Sequence, residues 1–136
     1  MTNKVVHVAV GVVLDQQQNI LISQRQAGQH LAGFWEFPGG KIEAGELCEQ
    51  ALFRELDEEL GIQVKVSEAL IVIEHQYAEK QVKLDVRLVT QFSGVPSGRE
   101  GQAFKWVPAS QLGAIEFPAA NKKIIAALQQ RLCLRG

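Results

Sequence analysis

Two cysteines, Cys48 and Cys133, are too few for a disulfide framework. They read as isolated thiols of a reducing compartment. No run reaches the roughly 18 apolar residues that a membrane helix needs. The longest candidate, residues 5–14, is broken by His7 and Gly11. A polar stretch, residues 15–19, follows it in place of a small-residue cleavage site. The segment therefore predicts a strand, and the chain a cytoplasmic protein without a membrane partner. A basic surplus is missing too: 14 Lys and Arg stand against 15 Asp and Glu, a net charge of -1. That balance argues against a dedicated nucleic-acid binder and leaves a small phosphorylated ligand open. There is no repeat, linker or low-complexity block. His7, His30 and His75 have no metal-ligand spacing. What is present, 46% hydrophobic and 21% charged residues in a 136-residue chain, suffices for one domain over residues 1–136 with its own core.

Pattern places the elements. Residues 5–14 and 20–25 predict two strands joined by a polar turn, with Ile20 and Ile22 on one face. Residues 26–33 form a loop, and 34–37 a short aromatic strand stopped by Pro38. Pro38-Gly39-Gly40 predicts a sharp turn outside regular structure. A helix over residues 47–60 has Leu52, Leu56 and Leu60 as its buried stripe and Gly61 as its C-terminal cap. Strands are expected at 62–66, 69–77, 81–92 and 103–107. A short helix begins at Pro108, and a last helix over 120–132 buries Ile124, Ile125, Leu128 and Leu132. The expected class is α+β, an α/β/α sandwich with a mixed sheet between helices.

Acid is concentrated. Residues 43–59 hold Glu43, Glu46, Glu49, Glu55, Asp57, Glu58 and Glu59, with Arg54 the only base. At helical spacing Glu55, Glu58 and Glu59 share one face beside the leucine stripe. Like charges so placed repel and raise one another's pKa, and a hard divalent cation with oxygen ligands would offset this. Gly39-Gly40-Lys41 lies just upstream, able to bring a backbone carbonyl to a metal and Lys41 to phosphate. Alone, the acidic face reads as solvated surface and Gly-Gly as an ordinary turn. Together they read as a metal site facing a phosphate pocket.

At these residues the sequence resembles the Nudix hydrolase family. Gly40, Glu46, Arg54, Glu55, Leu56, Glu58, Glu59, Gly61 and Ile62 meet every spacing of its signature. The likeness extends through residues 8–14, 21–25, 35–41, 101–107 and 117–121 to the branch that hydrolyses 8-oxo-dGTP. The resemblance implies a metal-dependent pyrophosphohydrolase yielding a nucleoside monophosphate and pyrophosphate. It implies that Glu55, Glu58, Glu59, the Gly40 carbonyl and Glu100 hold Mg²⁺ or Mn²⁺, and that Glu55 or Glu100 takes the proton from water. Arg54 would orient the carboxylates, Glu46 would brace the loop, and Arg25 and Lys41 would meet phosphates. A triphosphate brings about four negative charges to three on the helix, and two charges 4 Å apart cost on the order of 4 kcal/mol at an effective dielectric of 20. A divalent cation should therefore be essential.

The signature names the reaction and not the base. By the resemblance Asn121 reads the base, since an amide offers a donor and an acceptor; equally, an asparagine at that place can cap the last helix. Phe37 and Tyr77 line the base pocket or belong to the core. Lys80 stands where that branch carries an arginine beside the base, Asp85 and Arg87 replace aromatic residues, and Trp35 replaces an aliphatic one. The stretch 34–37 also resembles relatives that hydrolyse CTP. The expected substrate is thus 8-oxo-dGTP, the alternative CTP or dCTP, and a rival from another class is a non-catalytic nucleotide-binding module. The expected state is a monomer or weak dimer.

Overall fold

The computed structural model describes residues 4–132 apart from His30, Tyr77 and Glu79. Tyr77, His30 and Cys133 of the sequence analysis thus lie outside the described residues. Seven strands among those described form one mixed sheet: β1 (Lys4–Leu14), β2 (Asn19–Gln24), β3 (Trp35–Glu36), β4 (Gly39–Lys41), β5 (Gln63–Gln76), β6 (Lys80–Ser93) and β7 (Phe104–Pro108). Two helices, α1 (Cys48–Leu60) and α2 (Lys122–Arg131), cover its two faces. The central path runs β3-β2-β1-β6-β5, with β4 also on β1 and β7 also on β2. β1 and β6 run parallel over ten residue pairs, and the other pairings are antiparallel.

Period two along the strands divides the core. Ile20 and Ile22 point toward α2 with Val10, Val12, Val86 and Leu88, while Leu21 points toward α1 with Ala9, Val13 and Val89. Period 3.6 along α1 brings Leu52, Leu56 and Leu60 fully out of water. Each such leucine contributes roughly 1.5–3 kcal/mol. On α2, Ile124, Ile125 and Leu128 are buried and Leu132 packs partly against them, as the spacing predicts. Leu47 stands at the N-cap of α1 and offers no side-chain acceptor, so Gln50 reaches back and accepts the Leu47 N–H at 2.8 Å. Gly61 ends α1 at φ 71°, the left-handed conformation that glycine adopts freely.

Three boundaries differ from the sequence expectation. Gly39-Gly40-Lys41 is not a sharp turn but β4, paired with β1 through Ala9↔Gly40 and Val10↔Gly39. The glycines are there for closeness: a Cβ on Gly39 would lie 2.0 Å from the Ala9 carbonyl oxygen. Gly39→Ala is therefore expected to part β4 from β1 and lower stability by about 3 kcal/mol, read from the urea midpoint. The strands expected at 62–66 and 69–77 are one continuous β5, whose irregularities between Val64 and Ile71 absorb the polar Ser67-Glu68 step. The last helix begins at Lys122, after a 3-10 turn over Ala119–Asn121, because Pro118 directs the chain into that tighter turn first.

Candidate active site

The C-terminal half of α1 lies against β4. Glu55 meets Gly40 so closely that a Cβ on that glycine would stand 2.3 Å from the Glu55 carboxyl carbon. Arg54 ties the surroundings together. Its Nε donates to Glu46 Oε2 at 2.8 Å, its Nη2 to Glu46 Oε1 at 3.0 Å and to the Lys41 carbonyl at 3.1 Å, and its Nη1 to Glu55 Oε1 at 2.8 Å. Glu58 Oε2 stands 3.7 Å from the same Nη1. Glu46 also accepts the Glu43 N–H at 2.9 Å and so closes the loop ahead of α1. Hydrogen bonding from Arg54, then from the Glu43 backbone, holds the Glu46 carboxyl down at about 2.

Glu59 is the buried acid of the cluster. Burial first, then the charges of Glu55, Glu100 and Glu36, push its carboxyl up to about 9. A side-chain hydrogen bond with Glu55 adds to the rise. Its Oε2 is buried without a hydrogen-bond partner. An orphaned oxygen among mutually repelling carboxylates, with the Gly40 backbone pressed against one of them, is the donor set that suits a hard divalent cation. Among the described residues no three His, Cys, Asp or Glu side chains converge tightly enough to hold an ion by themselves. Glu55 and Glu59 converge; Glu58 leans outward along Arg54, its side chain 58% exposed.

Beside the acids lies a cavity of about 210 Å³ between the sheet and the start of α2. Arg25, Glu36, Phe37, His75 and Asn121 are among its lining residues. Arg25 Nη1 donates to Glu36 Oε1 at 2.7 Å. Burial raises the Glu36 pKa, and Arg25 partly opposes that rise. Phe37 serves cavity and core together, stacking on Phe117 at 5.0 Å between centroids. Asn121 occupies the N-cap of α2, yet its side chain makes no capping hydrogen bond. Asn121 is also among the residues that line the cavity.

Lys41 is exposed and stands on another flank, beside Val5, Val6 and His7. Lys80 is exposed at the start of β6, two residues before Val82, and is not among the lining residues. Glu100 is exposed in the loop before β7, within electrostatic reach of Glu59. Sequence reasoning missed Glu36 and His75 in the cavity, and Gln102 beneath Glu100. A lone acid between Trp35 and Phe37 was the only signal for Glu36. Asp85 accepts from the Cys48 thiol through its backbone, Sγ to carbonyl 3.7 Å, and Arg87 bonds Ser67. Both lie on the α1 side of the sheet, away from the cavity.

Residues 9–127 match the NUDIX domain family. The 8-oxo-dGTP diphosphatase of Escherichia coli K12 is 39% identical over 127 residues, 93% of this chain and 98% of that protein. The CTP pyrophosphohydrolase of the same strain is 36% identical, covering 85% of this chain and 84% of that protein. A solved MutT structure, from work on Aliivibrio salmonicida and Vibrio cholerae, superposes with a TM-score of 0.80 at 40% identity. It covers 93% of this chain and 99% of that one. These likenesses span both the acidic helix and the strands that frame the cavity, in an enzyme family that depends on divalent metals. The chain belongs to the Nudix hydrolase family.

Proposed function

We propose that the protein hydrolyses nucleoside triphosphates to the monophosphate and pyrophosphate, with 8-oxo-dGTP as preferred substrate. The observation that carries this reading is Asn121: it lines a cavity adjoining the acidic cluster, and its side chain makes no capping hydrogen bond to the helix it precedes. The 39% identity to a diphosphatase of that specificity supports it. At about 210 Å³ the cavity is smaller than the roughly 300–1,000 Å³ of a whole-ligand pocket. It takes a base and leaves the phosphates outside, toward α1.

Glu55, Glu58, Glu59, Glu100 and the Gly40 carbonyl hold Mg²⁺ or Mn²⁺ in this reading. The metal, when bound, neutralises phosphate charge and makes a coordinated water more acidic. Glu55 or Glu100 accepts the proton of the attacking water. Arg54 acts through others: it fixes the Glu55 carboxylate and the loop braced by Glu46. Arg25, which lines the cavity, would meet phosphate; Lys41, exposed on another flank, and Lys80, exposed outside the cavity, would act on the substrate by the resemblance alone. Phe37 stacks beneath the base; Tyr77 contributes by the resemblance alone. Asn121 pairs donor and acceptor with the base edge, and a wrong base leaves a buried amide unpaired at about 1–3 kcal/mol.

Pyrophosphate release across 8-oxo-dGTP, dGTP, CTP and dCTP tests the reading. The expected result is a kcat/KM for 8-oxo-dGTP at least about tenfold above dGTP, a difference of about 1.4 kcal/mol. Asn121→Ala should remove about tenfold or more of that preference. A preference for CTP or dCTP would instead favour the function of the 36% identical relative. Absence of turnover across the panel with Mg²⁺ and Mn²⁺ would point to a nucleotide-binding module.

A further inference from the structure

α1 carries no basic residue in its last turn, and its final carbonyls are met from another part of the chain. The Ser97 N–H donates to the Leu60 carbonyl at 2.9 Å, and the Arg99 N–H to the Glu59 carbonyl at 3.1 Å. Arg99 Nη1 donates to the Asp57 carbonyl at 3.1 Å. The loop that bears Glu100 is thus seated on the end of the helix that bears Glu59. Within this seat one side chain touches both acids' backbones. Gln102 Nε2 donates to the Glu59 carbonyl at 3.1 Å, while Gln102 Oε1 accepts the Glu100 N–H at 3.0 Å. The Glu100 carbonyl is held from the other side, by Gln26 Nε2 at 3.0 Å, and Gln26 directly follows Arg25.

We propose that Gln102 is a positioning residue whose amide sets the distance between Glu59 and Glu100, so that the two carboxylates approach one divalent cation together. The proposal rests on the metal-holding role given above to Glu59 and Glu100. An amide is required because one partner is an acceptor and the other a donor. A carboxylate at 102 could keep the Glu100 N–H and would oppose the Glu59 carbonyl. Residues 59 and 102 are 43 apart in sequence; Ser97 and Arg99 seat the loop on the helix end, and the Gln102 side chain ties the Glu59 carbonyl directly to the Glu100 N–H. Gln26 works in the same sense from the opposite flank and links the loop to the exit of β2. Groups that orient metal ligands from behind change metal affinity by about 10- to 100-fold when lost.

The test uses the full chain and titrates Mn²⁺ by electron paramagnetic resonance without nucleotide. Gln102→Met keeps the length and removes both hydrogen bonds; its Mn²⁺ affinity is expected to fall about tenfold or more. Gln26→Met cuts one tie only and should weaken Mn²⁺ binding in the same direction by less. A merely structural role would lower the melting temperature and leave the Mn²⁺ affinity of the folded fraction unchanged, which would overturn the proposal. Should Gln102→Met fail to fold, Gln26→Met decides, and wild-type Mn²⁺ affinity in it counts against the bridge. If wild-type protein itself binds no Mn²⁺, the metal-site reading of the acids fails, and the proposal with it; if wild type binds and both variants match it, the bridge alone is wrong.

Discussion

Glu55→Gln is expected to lower kcat by about a thousandfold, within the 10²–10⁴ range lost with a general acid or base, and to leave a folded protein. Glu55 is held from two sides. Arg54 donates to its Oε1 at 2.8 Å, and the Gly40 backbone blocks its retreat. Glutamine matches the volume, so the leucine stripe beside it keeps its packing. It replaces an anion with a neutral amide, and an amide nitrogen turned toward Arg54 sets donor against donor. Pyrophosphate release at saturating Mg²⁺, with circular dichroism alongside, measures the loss. Glu100→Gln is the companion. Loss of a metal ligand raises the Mg²⁺ needed for half-activation, whereas loss of the base lowers kcat at saturating metal and flattens the pH profile. Retention of more than about a tenth of wild-type kcat in Glu55→Gln would remove this residue from the reaction.

The register of α1 made the acidic face legible. Leu52, Leu56 and Leu60 must point inward, and the same arithmetic puts Glu55 and Glu59 on the neighbouring edge. Asn121 was legible as a residue with two uses, and the absence of a capping hydrogen bond from its side chain was not. Gly39-Gly40 was misread because a turn and a tightly paired strand ask the same thing of glycine, the absence of a Cβ. The partner that decides, Ala9, lies some thirty residues away. β5 was divided in two because Ser67-Glu68 breaks its apolar pattern, while strand irregularities let the pairing with β6 continue through it. Gln102 gave no local signal at all. Its partners come from the end of α1 and from its own loop, and an amide in a polar loop looks the same whether or not it bridges two elements.

Glu59 couples protons, metal and folding, and the sign is fixed by its surroundings. In the folded chain its carboxyl titrates at about 9, against an ordinary value of 4.5. The native state therefore keeps a proton that the unfolded chain has already lost. Across that window stability falls as pH rises, by on the order of 1 kcal/mol per pH unit, and the loss is complete above the folded value. A divalent cation takes the place of that proton, so binding should relieve the cost where the proton is hardest to keep. The metal-free protein is expected to melt at a lower temperature at about pH 8.5 than at about pH 6, and Mg²⁺ should raise the melting temperature more at the higher pH. Glu59→Gln supplies a permanently neutral group of the same shape. It should flatten the pH dependence, stabilise the metal-free protein above neutral pH and abolish most of the Mg²⁺ shift, while turnover falls. Differential scanning calorimetry with and without Mg²⁺ at the two pH values decides the matter. An equal Mg²⁺ shift in Glu59→Gln and wild type would show that the ion is held without this carboxylate, and that the buried oxygen answers to some other partner.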